Sequence, residues 1–232
     1  MLFADVAFLI ATTVASVASA AGTGINTNLV QQLKVATTNM DRMNLLPESS
    51  DWFFDFTKSD KYTFSPGGVT YADAATFPAT IGNGMSMSII NLGPCSMLPP
   101  HVHPRATKYA VAVKGTTHTW MITENGAPVI EETLTAGQMT IFPQAAVHSM
   151  MNVGCEDAQL ICSFNSEDPG SNNLANAFFT MPPNITQTIL GAGVDIQTVA
   201  GQIPGVGTGS NAGSEQCLKA CATKSKFIKK SF

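Results

Sequence analysis

Between Trp52 and about Asn165 the chain runs as short stretches of alternating apolar and polar residues, each ended by a glycine-bearing turn. Alternation at period two puts one set of side chains on each face of a strand, and such strands need neighbours to pair with. Residues 85–92, 109–113, 118–122, 138–142 and 159–164 read this way. Pro66-Gly67-Gly68, Gly82-Asn83-Gly84, Lys114-Gly115, Glu124-Asn125-Gly126 and Ala136-Gly137 separate them. Many short strands between such turns predict an all-β sandwich or barrel. With only 12% charged residues against 19 Gly and 13 Pro, the composition argues against a helical bundle. No barrel-sized segment repeats, so a single β-barrel is expected over 51–168.

The flanks differ. Leu29, Leu33, Ala36, Met40 and Met43 recur at helical spacing and Pro47 stops them, which predicts a helix over 26–46 within an arm of residues 21–50. Beyond Asp168-Pro169-Gly170, the segments 173–179, 184–190, 195–203 and 215–222 predict short helices, with a glycine-rich connection over 205–213. These helices and a basic tail, read as a solvated frayed end carrying Lys224, Lys226, Lys229 and Lys230, make up 169–232.

Residues 1–20 read as a signal peptide: an apolar run over 6–17 precedes Ala18-Ser19-Ala20, a small-x-small cleavage signature. The run falls short of the about 20 residues that a transmembrane span needs, so a soluble, secreted chain of the extracellular or wall space is expected. The net charge of −4 gives no reason to expect nucleic acid. Asn184-Ile185-Thr186 is a glycosylation sequon in keeping with export. Five cysteines fit an oxidising compartment. Cys162 lies in an apolar strand and reads as a buried free thiol, which leaves Cys95, Cys155, Cys217 and Cys221 for two disulfides. Cys217 and Cys221 share one helix face and can each bridge to the barrel; the connectivity stays open.

Chemistry concentrates in three histidines. His101 and His103, two apart on a strand, point to the same face. His148 follows a later strand and turn. Three imidazoles converging inside a barrel would suit Mn, Fe, Zn, Ni or Cu. His118 and Trp120 are candidates for the same pocket, against the plainer reading of a surface or edge histidine. Glu131-Glu132 reads as a solvated strand end. Met85, Met87, Met97, Met121, Met139, Met150 and Met151 read as core filler, several facing inward to make the cavity apolar.

The order Gly, five residues, His-x-His, a gap, Glu and a later Gly, then Gly, five residues, Pro-x-Gly, two residues, His, three residues and Asn, is the pair of cupin motifs of germins. His101, His103, Gly115, Gly137, Pro143, His148 and Asn152 match it in type and spacing. The phrases His103-Pro-Arg-Ala-Thr107, Asn165-Ser-Glu-Asp-Pro-Gly170 and Glu215-Gln-Cys-Leu-Lys-Ala-Cys221 resemble spherulin-type germin-like proteins. The resemblance, from about Trp52 to Cys221, implies a cupin β-barrel, C-terminal helices that help build a homo-oligomer, an extracellular setting and a manganese site. It also implies a pocket reaching Asn152.

Three positions depart from that pattern. Cys95 and Ala145 stand where the motifs have glycine, and Lys108 stands where the family has its glutamate ligand. A charged lysine repels a dication, by roughly 8 kcal/mol at ~4 Å and an effective dielectric near 20. It escapes by losing its proton or by bending its stem away. Three readings stand open: histidines packed without metal, a weakened three-histidine site for Mn or another divalent transition metal, and a repurposed site with neutral Lys108 as base or Schiff-base amine. The first function expected is a secreted binding or structural protein. The second is an enzyme on a small organic, aromatic or polyketide-like metabolite, with Lys108, His101, His103 and His148 as acid, base or ligands.

Overall fold

The computed structural model describes residues 26–230, from 223 onward by backbone alone. Among these residues eleven strands follow in chain order: β1 Gly67–Ala72, β2 Ser86–Leu92, β3 Ser96–Val102, β4 Lys108–Lys114, β5 Thr116–Ile122, β6 Ile130–Thr135, β7 Met139–Phe142, β8 Val147–Asn152, β9 Ala158–Phe164, β10 Asn172–Asn173 and β11 Asn211–Ala212. One sheet has the order β1-β2-β9-β4-β7, and the other β10-β3-β8-β5-β6 with β11 also on β3. All pairings are antiparallel. The two inner faces enclose a core of Ile90, Leu92, Leu98, Ala110, Ala112, Met150, Leu160 and Phe164, among others. Alternation accounts for it: β9 reads buried at Ala158, Leu160, Cys162 and Phe164 and half-buried between them.

The glycines at 67 and 68 open β1 instead of forming a turn. A side chain on Gly68 would meet the Lys61 carbonyl, so close approach of a neighbouring backbone is what selects glycine here. Gly115, by contrast, makes the expected tight turn at φ 73° between β4 and β5.

The arm expected as one helix is two, α1 Thr27–Val35 and α2 Asn39–Leu45. Thr38 and Asp41 form a capping box that starts α2 afresh, satisfying amides that a continuous helix would have used itself. The restart turns Met40 and Met43 out to solvent, while Leu33 and Leu46 pack with Ala79 and Ile81. At the other end α3 Leu174–Phe179, α4 Pro183–Leu190, α5 Ile196–Gln202 and α6 Glu215–Lys230 form. Helix α6 runs past Ala222 to Lys230, so the basic stretch has a helical backbone instead of a frayed one. The signal-peptide segment 1–20 lies outside the described residues.

Cys95 bonds to Cys217 and Cys155 to Cys221, so both cysteines of α6 reach the barrel. Cys162 is a buried free thiol.

Candidate metal centre

His101 near the end of β3, His103 just beyond it and His148 on β8 are 3%, 2% and 2% exposed. The β3–β8 register sets His101 opposite His148. Ring centroids lie 4.2 Å apart for that pair, 5.1 Å for His101 and His103, and 5.2 Å for His103 and His148. Each Nδ1–H donates to a carbonyl: His101 to Pro99 at 2.8 Å, His103 to Gly170 at 2.6 Å, His148 to Ala146 at 2.9 Å. That leaves three bare Nε2 atoms, and the ligating nitrogens of the triad lie within 4.8 Å of one another. The Nε2 atoms of His103 and His148 are buried without a hydrogen-bond partner. Burial, then the positive charge of Lys108, holds His101 down to about 3 and His103 to about 4, and pushes His148 lower still. At neutral pH all three are therefore uncharged lone-pair donors.

Lys108 points at the same region. It opens β4 with its side chain inward, flanked in register by Phe142 on β7 and Phe164 on β9. It is 1% exposed. Its Nζ lies 3.7 Å from Met150 Sδ and 5.4 Å from the centre of the Phe142 ring. Among the described residues no carboxylate pairs with it. Burial pushes the amine below its ordinary value. Phe142 also stacks on His148 at 4.2 Å, and Phe164 meets His103 edge-on at 4.9 Å. This aromatic wall is legible in the sequence only once Lys108 is paired in register. The triad fits a metal as three nitrogen ligands; the fourth position, a charged or neutral lysine, does not supply the anionic oxygen.

The two non-glycine residues at glycine positions keep the glycine conformation. Cys95 has φ 60° and Ala145 φ 63°, the only non-glycine residues with positive φ among those described. Each such residue costs roughly 1–2 kcal/mol. The Ala145 amide donates to the His103 carbonyl at 3.0 Å, so this turn clamps the first histidine segment against the second. The Cys95 turn is held by its bond to Cys217.

Other candidates stand elsewhere. His118 and Trp120 do not join the triad: Thr117, Thr119 and Met121 are the inward residues of β5, so its other face carries these two. There His118 Nδ1 meets Thr133 Oγ1 at 2.7 Å, its Nε2 lies 3.6 Å from Glu131, and its ring rests on Trp120. Asn152 is buried, but its side chain ties together the β2–β3 and β8–β9 connections: Nδ2 donates to the carbonyls of Leu92, Gly93 and Glu156, and Oδ1 accepts from Gly154. With all its polar capacity taken by backbone, it offers the pocket nothing. Met121 and Met150 are buried as expected, whereas Met87 and Met139 face solvent because they occupy the outward phase of their strands, and Met85, just before β2, is exposed with them. In the sequon, Asn184 is exposed in the first turn of α4 and Thr186 is buried.

A cavity of about 160 Å³ opens beside His101 between Tyr71, Leu98 and the glycine-rich strap 206–209, with Lys61 and Asn173 at its rim. Thr208 pins the strap, its carbonyl accepting from the Val69 amide at 2.9 Å and its hydroxyl donating to Gly67 at 2.7 Å. The sequence showed this stretch only as a glycine-rich connection, because nothing in glycine spacing says what a loop crosses. The space is well below the ~300 Å³ at which ordinary ligand pockets begin; a cavity of about 150 Å³ holds a single benzene-sized ring, so this one is too small for a polyketide-like molecule.

Comparison with known proteins agrees with this geometry. The cupin family model matches residues 56–198. Spherulin-1A of Physarum polycephalum is 36% identical over 195 residues, covering 83% of this chain and 78% of that protein. Germin-like protein subfamily T member 2 of Arabidopsis thaliana is 37% identical over 144 residues, covering 61% and 65%. The structure of an oxalate oxidase in complex with the substrate analogue glycolate superposes with a TM-score of 0.61 at 27% identity, over 68% of this chain and 84% of that one. The buried histidine triad thus sits in a two-sheet barrel of a known kind, and the chain belongs to the cupin family, in its germin and spherulin branch.

Proposed function

We propose that this is a secreted germin- and spherulin-type cupin that acts by binding or as a structural component, and that its triad holds a divalent transition metal far more weakly than a site completed by a carboxylate. One observation carries this reading: the side chain of Lys108, 1% exposed, lies inside the barrel where the germin pattern has its anionic ligand. Were a metal bound, His101, His103 and His148 would hold it through Nε2, and it would supply Lewis acidity or redox chemistry. A protonated Lys108 opposes that ion, and a neutral one leaves both its charges uncompensated. The two disulfides support export, since such bonds persist in oxidising compartments.

The small cavity beside His101 favours a second reading, an enzyme or binder for a ligand of a few heavy atoms. Manganese-soaked protein assayed for oxalate oxidation and superoxide dismutation tests the first reading. It predicts no turnover above background in either assay; metal-dependent turnover by the wild-type chain would overturn it.

A further inference from the structure

We infer that the disulfides Cys95–Cys217 and Cys155–Cys221 together form a thiol–disulfide exchange site for a low-molecular-weight thiol, which enters at Cys155 and shifts the Cys95 bond from Cys217 to Cys221. The two bonds touch. Sγ of Cys95 lies 3.6 Å from Sγ of Cys221, a non-bonded contact from one disulfide to the other. The sulfurs of Cys95, Cys217 and Cys221 all fall within 4.8 Å of one another. A separation of 3.6 Å is just outside the ~3–3.5 Å of a near-attack arrangement. A thiolate at Cys221 would therefore have the Cys95 sulfur already beside it.

Three segments hold the sulfurs in place. Cys95 sits in the β2–β3 connection, where its amide donates at 3.3 Å to the carbonyl of Gly154, the neighbour of Cys155 in the β8–β9 connection. A side chain on Gly213 would meet the Cys95 carbonyl, so the lead into α6 is seated on the same turn. Cys217 and Cys221 stand about one turn apart on α6. Cys95 is fully buried, while Cys155, Cys217 and Cys221 are half-buried. A thiol in solution thus reaches the half-buried sulfurs, and the Cys95 sulfur is open to attack from inside the cluster.

The incoming thiolate attacks Sγ of Cys155, which forms a mixed disulfide there and releases Cys221 as thiolate. That thiolate attacks Sγ of Cys95, forms Cys95–Cys221 and expels Cys217 as thiolate, which takes a proton from water. One thiol is consumed and one appears, two disulfides remain two, and no oxidant is needed. Helix α6 selects the leaving group. Cys217 is in its first turn, with its amide donating to Ser214 Oγ at 3.3 Å. A helix N-terminus stabilises a thiolate, and a more stable thiolate leaves faster. The new bond closes a separation of 126 residues in place of 122, so chain entropy does not oppose the exchange. The barrel's hold on α6 then moves one turn further from β11 and the strap over the His101 cavity.

The inference is independent of the metal content of the triad. Natively secreted protein is incubated with reduced glutathione under native conditions, free thiols are blocked with N-ethylmaleimide, and disulfides are mapped by mass spectrometry of non-reduced peptides. Glutathione on Cys155, a free Cys217 and a Cys95–Cys221 bond are expected, with uptake matched mole for mole by loss of the Cys95–Cys217 bond. Cys162, buried and free, is expected to stay free. Glutathione on Cys155 with Cys95–Cys217 intact, glutathione on Cys217 instead, or no uptake would each overturn the assignment. So would Cys162 in a disulfide, which marks scrambling through the unfolded chain. Cys217→Ser needs no added thiol, because it leaves the Cys95 thiol beside Cys221. That variant is expected to contain a Cys95–Cys221 bond with Cys155 free; a variant holding only Cys155–Cys221 would also overturn the exchange.

Discussion

Replacing Lys108 by glutamate puts a carboxylate on the β4 position that faces the three imidazoles. Lys108 acts on all three rings, since its charge lowers the proton affinity of each. For a dication about 4 Å away, the ammonium costs roughly 8 kcal/mol at an effective dielectric of 20, and a carboxylate there gains a similar amount. Relaxation and loss of the lysine proton reduce the first part, and burial of the carboxylate reduces the second. Keeping about 4 kcal/mol of the sum still predicts a ~10³-fold gain in manganese affinity. Lys108→Met, which removes charge without adding a ligand, should fall between the two. Competition against a chelator of known affinity gives the constants, and thermal unfolding gives an independent readout. Without metal the glutamate variant is less stable, because it buries an unpaired acid beside Phe142 and Phe164; with manganese its midpoint rises. Equal affinities in wild type, Lys108→Met and Lys108→Glu would mean that position 108 does not face the ion, and would refute the reasoning.

Acid should unfold the metal-free protein early. The triad is held neutral in the fold with His101 near 3 and His103 near 4, while in the unfolded chain each takes a proton near 6.5. The unfolded state thus binds more protons from about pH 6.5 down to about 4, so stability falls as pH falls through that window, by up to about 4 kcal/mol per unit for three groups. Lys108, depressed in the fold, adds a contribution of the same sign that persists toward alkaline pH. A thermal midpoint flat from pH 7 to 5 would contradict the buried triad. Ala145→Gly should raise stability by about 0.5–1 kcal/mol in denaturant titration, since it relieves roughly 1–2 kcal/mol at φ 63° on an exposed residue and returns about 0.5–1 kcal/mol as glycine's extra chain entropy; a loss would show that the alanine methyl is needed. Cys217→Ser should cost about 2–5 kcal/mol, because its bond closes a separation of 122 residues; an unchanged unfolding midpoint would show the tether to be dispensable.

Much of this was readable from the chain, for identifiable reasons. His101 and His103 had to share a face because strand geometry leaves no choice, and Cys162 had to be inward because it shares a phase with Leu160 and Phe164. Three departures each have a physical cause. His118 has the right residue type and strand, but it shares the outward phase of β5 with Trp120, the plainer reading of an edge histidine. The helix break at Thr38 came from a side chain competing for backbone amides, a signal that the Thr38-x-x-Asp41 spacing does carry. The outward methionines follow from strand phase, which overrides their apolar character. The strap over His101 was beyond reach, since contacts across more than 100 residues leave no trace in local periodicity.

The central claim is that lysine in the barrel weakens the metal site, and the metal content of natively secreted, tag-free protein tests it most directly. Plasma mass spectrometry against protein concentration should find transition metal well below one equivalent, with manganese soaking followed by desalting leaving it there. A full equivalent of a single transition metal, retained through desalting, would contradict the claim and show that three histidines suffice beside Lys108.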